Sequence, residues 1–172
     1  MKIIVRCAGL FLFAGCAYAH SPEGCSTYTW DLAREFSALR APGEPIAAEG
    51  AAVAKKTWLA LGKRYDATLR PQPEVRFVTT PARTRASGNA AAGLLFFRSR
   101  KAGRYRISLN THHWIDVLEG DKPIGSSGHE GRGGCELLHK VVEFDLPARR
   151  AITIQLSGAA TGSVSVVITG PA

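Results

Sequence analysis

Recognisable catalytic signatures are absent from this sequence: it holds no GxSxG elbow, no Walker loop and no HExxH, HxH or HxD spacing. No pair of carboxylates sits in a recognised catalytic context. CxxC is missing too, which removes the common redox and zinc-ribbon patterns. Long apolar runs are lacking apart from Cys7 to Ala17, which is too short for a bilayer span of about 20 apolar residues. Acidic residues are scarce in one region: between Lys55 and Arg106 thirteen Lys or Arg face only Asp66 and Glu74. The rest of the chain beyond residue 19 carries seven basic and twelve acidic residues, so the net charge of +8 conceals a divided molecule.

What is present begins with a leader. Lys2 and Arg6 precede the apolar run, and Ala17-Tyr18-Ala19 closes it with the small-x-small pattern that signal peptidases read. The sequence predicts loss of residues 1–19, a single β-sandwich domain over residues 20–172, and a periplasmic or secreted location with no transmembrane segment. Phe13-Ala14-Gly15-Cys16 also resembles a lipobox, which would instead anchor a lipoprotein through Cys16. Cys25 and Cys135 remain after processing, and in an oxidising compartment they are expected to form a disulfide.

Apolar residues at Trp30, Ala33, Phe36 and Leu39 recur as on one face of a short N-terminal helix, which the run Ala41-Pro42-Gly43-Glu44-Pro45 ends. Residues 46–54 read as a connection. Beyond them the period becomes two: Tyr65, Ala67, Leu69; Tyr105, Ile107, Leu109; Val142, Phe144, Leu146; Ile152, Ile154, Leu156; and Val164, Val166, Ile168. Further candidates are Thr57 to Leu61, Glu74 to Val78, Gly93 to Arg98 and His112 to Leu118. Turns at short regular intervals between some eight or nine strands predict an all-β fold, an antiparallel β-sandwich or jelly roll. The stretch from Lys122 to Gly134 holds five glycines and reads as one long loop.

Three constellations carry chemistry. Arg98, Arg100, Lys101, Arg104 and Arg106 are expected to form a basic patch across one turn, with Trp114 as a stacking platform. Such a patch would attract an anionic polysaccharide, lipopolysaccharide or phospholipid head group. Nucleic acid is disfavoured, because no nucleic-acid motif appears and an exported chain rarely meets it. On the strand around Trp114, a period of two puts His112, Trp114 and Asp116 on one face and His113, Ile115 and Val117 on the other. His112, Asp116, His129 and His139 are the candidate ligands if a zinc or iron ion binds, as a small metalloprotein or metal-dependent oxygenase would require. His20, as a mature N-terminal residue, is a candidate copper ligand. Glu143 and Asp145 share a strand face and are expected to oppose basic side chains on a neighbouring strand.

The segments Cys25-x4-Trp30-Asp31, Ala102-Gly103-Arg104-Tyr105-Arg106, Trp114-Ile115-Asp116-Val117 and Gly134-Cys135-x3-His139-Lys140-Val141-Val142-Glu143-Phe144-Asp145-Leu146 resemble a group of exported proteobacterial β-sandwich proteins. Some of that group carry a homogentisate 1,2-dioxygenase label, which would imply an iron held by two histidines and a glutamate. The run from Gly103 to Leu109 and the later Trp-Ile-Asp-Val also look like sandwich domains appended to secreted peptidases, which implies a binding module. The leading expectation is a non-enzymatic envelope domain that recognises an anionic ligand through its basic face.

Overall fold

The computed structural model describes residues 23–52, 56–83 and 88–171; the leader, Cys16 and His20 lie outside the described residues. A 3-10 turn at Glu23–Thr27 leads into α1 (Ala33–Arg40). Twelve strands follow: β1 (Glu44–Ala47), β2 (Trp58–Leu59), β3 (Arg64–Thr68), β4 (Arg70–Pro71), β5 (Ala91–Ser99), β6 (Gly103–Leu109), β7 (Trp114–Glu119), β8 (Lys122–Ile124), β9 (Gly128–Gly131), β10 (Lys140–Leu146), β11 (Arg150–Ala159) and β12 (Ser163–Thr169). They build two six-stranded sheets, a sandwich-like all-β fold. Sheet A runs β1-β3-β12-β6-β10-β9, and sheet B runs β2-β5-β11-β7-β8 with β4 paired to β5.

The period-two residues meet between the sheets. Tyr65, Ala67, Tyr105, Ile107, Leu109, Phe144, Leu146, Val164, Val166 and Ile168 from sheet A face Leu95, Phe97, Ile115, Val117, Ile152, Ile154 and Leu156 from sheet B. Each fully buried large aliphatic or aromatic side chain contributes roughly 1.5–3 kcal/mol, so this layer is the main source of stability.

Both sheets are mixed where the sequence predicted antiparallel pairing alone. β1 runs parallel to β3 and β2 runs parallel to β5, both at sheet edges. β1 lies where Pro45 and the alanines hid any period; proline is tolerated there because an edge strand need not donate on both sides. The stretch from Lys122 to Gly134 is likewise no single loop. It carries β8 on sheet B and β9 on sheet A, and so crosses from one sheet to the other. Its glycines conceal this, and one has a packing reason: a Cβ on Gly128 would stand 3.1 Å from the Trp30 ring.

Each sheet is also covered on its outer face. Over sheet A, α1 and the segment before it bury Leu32 and Leu39 against Val141, Val167 and Leu138, with Cys135 in the same cluster. The Cys25–Cys135 disulfide pins that cover across a sequence separation of 110. Over sheet B, no strand forms from Glu74 to Val78. A 3-10 turn at Gln72–Glu74 instead opens a strap over residues 75–83. The buried Gln155 side chain of β11 holds it: its Oε1 accepts from the Val78 and Thr79 amides at 2.7 and 3.2 Å, and its Nε2 donates to the Thr79 carbonyl at 3.1 Å. Among the described residues, no helix is long and apolar enough to cross a membrane.

Candidate functional site

β11 pairs along one edge of β7 from Trp114 to Glu119, but on the other edge β8 pairs only with Val117–Glu119, so the first half of β7 is open on that side, toward β9 and β10 of the other sheet. A cavity of about 210 Å³ opens there. Trp114, Ile115, His129, His139, Lys140 and Val142 line it, together with Arg83 at the end of the strap.

Alternation along β7 buries Ile115 and Val117 in the core and turns Trp114 and Asp116 outward. The Trp114 indole N–H donates to Asp116 Oδ1 at 2.8 Å, and the Ala82 amide donates to Oδ2 at 3.2 Å. Asp116 thus orients the tryptophan and fastens the strap with the same carboxylate. Its neighbour Arg83 then lies with its guanidinium carbon 4.8 Å from the Trp114 ring centroid. From the opposite sheet, Lys140 brings its ammonium to 5.8 Å from that ring and donates to the carbonyls of His113 at 2.9 Å and His112 at 3.4 Å. Two cations on one indole is an arrangement stabilised by the ring's quadrupole.

The charge balance of the cleft is strained toward neutral bases. Burial, then the nearby Arg83, lowers the Lys140 ammonium below its ordinary range. Burial lowers His139 as well, with His112 and Lys140 adding to the effect. Beneath them His113 is fully buried and depressed to about 4, first by burial and then by His112 and Lys140, against the pull of the Thr161 backbone. Its Nδ1 lies 2.7 Å from the Thr111 hydroxyl. An anion placed against Trp114 would relieve this concentration of positive charge.

Glu130 also reaches the cleft wall, but its carboxylate is occupied. Burial would raise it; the Thr29 hydroxyl, the amides of Thr29 and Trp30, and Arg132 outweigh that and hold it below the ordinary carboxylate range.

The structure divides the predicted basic patch instead of assembling it. Arg104 and Arg106 point from β6 onto the outer face of sheet A, where both engage Glu143, at 3.2 and 3.1 Å. Arg106 is further held by the Asp31 carbonyl at 2.8 Å, by Glu35 at 3.8 Å and by the Trp30 ring at 4.9 Å. Arg106 thus binds the helix cover to the sheet, while Arg104 pairs only within the sheet, and both border a hollow of about 330 Å³ with Arg34 and Glu35. Arg98 belongs to sheet B, stacked 4.0 Å over Trp58, with Arg100 lining the same hollow and Lys101 following in the turn. Trp114 lies three strands from Trp58 in sheet B, so Arg98 and Arg100 stand away from the Trp114 cleft, and Arg104 and Arg106 belong to the other sheet.

The candidate metal ligands converge only in part. The His112 and His139 rings lie 5.9 Å apart, and His129 shares the cleft with His139. Asp116 is turned away, bonded to Trp114 and Ala82. Among the described residues no three His, Cys, Asp or Glu side chains gather as a ligand set. An iron site of two histidines and a glutamate does not fit either, because the glutamate at this wall is the occupied Glu130.

Sequence reasoning missed Arg83 and Lys140. Lys140 carried a signal, standing two residues before Val142 in a period-two strand and therefore at its open inner end. Arg83 carried none, since its place depends on Gln155 and Asp116 fixing the strap.

No family model matches the chain, and neither a curated protein nor a solved structure matches it. The class that fold and site define is therefore a disulfide-fastened β-sandwich with a cationic, tryptophan-centred cleft.

Proposed function

We propose that this protein is an exported binding domain that recognises an anionic ligand of the envelope at the Trp114 cleft. One observation carries the reading: Arg83 from the strap and Lys140 from the opposite sheet both stand over the face of Trp114, whose orientation Asp116 fixes. A flat aromatic face accepts a sugar ring or a comparable apolar plane, and the two cations meet its charge. Export is supported by the leader-like start and by the Cys25–Cys135 disulfide, which persists in oxidising compartments. In this reading the cations at the cleft are Arg83 and Lys140 in place of Arg104 and Arg106, which share the Glu143 carboxylate on the other sheet.

The test is retention on an immobilised acidic polysaccharide across a salt series. The parent protein should elute earlier as salt rises, since screening weakens charge contacts. A variant carrying Trp114→Ala and Arg83→Ser should pass through. Equal, salt-insensitive behaviour of the two would refute the assignment.

A further inference from the structure

Trp114 has a counterpart on the same outer face. β2 pairs with β5 so that Trp58 stands beside Phe96, and the two rings meet edge to face with centroids 6.5 Å apart. That contact fixes the indole, yet Trp58 remains 36% exposed, the one large hydrophobic residue so open among the described residues. Arg98 stacks 4.0 Å from its centre and Arg100 borders the same hollow, while Lys56 sits 5.3 Å from the Phe96 ring. The arrangement repeats that at Trp114: an indole held by a neighbour and flanked by cations. Among the described residues no acidic side chain is paired to Arg98.

The register gives the spacing. Trp58 lies opposite Phe96, Phe96 opposite Thr153, and Thr153 opposite Leu118, four residues along β7 from Trp114. Three inter-strand steps and four residues of rise put the two tryptophans roughly 20 Å apart. Between them passes the strap, tied to Gly50 through the Arg76 amide and to Asp116 through Ala82. Together, β4, the 3-10 turn and the strap carry three exposed arginines, Arg70, Arg76 and Arg83, against Glu74 alone.

We propose that this face binds an extended acidic polysaccharide, with sugar rings against Trp58 and Trp114 and the intervening acid groups along Arg76 and Arg83. The inference rests on the Trp114 reading and adds a second subsite to it. A single anionic group needs one platform; two fixed platforms joined by cations suit a polymer that repeats ring and charge. Two weak contacts on one chain reinforce each other through effective concentration.

The experiment uses the full disulfide-bonded protein and oligogalacturonates of defined length, titrated calorimetrically. The parent should bind a long oligomer at least about tenfold more tightly than a disaccharide. Trp58→Ala should remove that gain, leaving long and short oligomers bound alike through the Trp114 cleft; Trp114→Ala should weaken the long oligomer as well. Unchanged long-chain affinity in Trp58→Ala, with Trp114→Ala defective, would overturn the second subsite and leave the cleft assignment standing. Failure of the parent to bind either length would overturn both. Tighter, tryptophan-dependent binding of oligothymidylate or of anionic vesicles would overturn the polysaccharide.

Discussion

Arg106 on β6 and Glu143 on β10 lie directly opposite each other in the sheet, with Nε 3.1 Å from Oε2. Glu143 is only 6% exposed and takes the exposed Arg104 as well, so one buried carboxylate gathers two cations on the outer face of sheet A. This relationship separates the charges that hold the fold from those free to meet a ligand. Arg106→Ala leaves a buried carboxylate short of a partner and should cost about 3 kcal/mol in denaturant unfolding. Retention on acidic polysaccharide, measured under native conditions, should be unchanged.

The strap depends on Gln155. Removing that amide in Gln155→Ala frees three backbone contacts in a buried place, which should cost about 2 kcal/mol. Hydrogen exchange at the Val78 and Thr79 amides should accelerate more than in the core strands. Polysaccharide retention should fall, because Arg83 loses the anchored segment that holds it over Trp114.

His113 makes the fold acid-sensitive. Its pKa is near 6.5 when unfolded and about 4 when folded, so between those values the unfolded chain binds the extra proton. Stability is therefore complete above about pH 6.5 and falls as pH drops toward 4, by at most roughly 3 kcal/mol from this group. Unfolding curves at pH 7 and pH 4.5 should show the loss, and His113→Gln should flatten it.

Ligand binding should respond to pH in the opposite sense. His139 is lowered by burial, His112 and Lys140, and a bound anion favours its charged form. Affinity for a short acidic oligosaccharide should rise as pH falls from 8 toward 6. His139→Gln should remove part of that slope.

The disulfide closes a loop spanning 110 residues of sequence separation. Replacing both cysteines by serine should cost about 3–5 kcal/mol, read as a lower denaturant midpoint.

Much of the fold was legible because its core strands alternate. Tyr105, Ile107 and Leu109, or Ile152, Ile154 and Leu156, state both their conformation and their buried side, and the expected opposition of Glu143 and Asp145 to basic residues appears as Glu143↔Arg106 and Asp145↔Arg104. The two cysteines were legible as a pair for the same reason: nothing else in the described chain competes for them. The cleft was half legible. Trp114 and Asp116 declared a shared face, but their partners come from a strap and from a strand of the other sheet, and non-local pairing leaves no periodic trace. The basic patch failed on the same ground. Arg98 and Arg104 are near in sequence, yet the turn between β5 and β6 carries the chain from one sheet to the other, and a crossover sends equal charges to opposite sides of the molecule.

Cys135 sits in the short connection between β9, which presents His129, and β10, which begins beside His139. The cystine thus knots the N-terminal turn to the very hinge from which one wall of the cleft hangs. In a chain whose thiols are still reduced, that covalent tie beside the cleft is missing, and the rim is held by packing and hydrogen bonds alone.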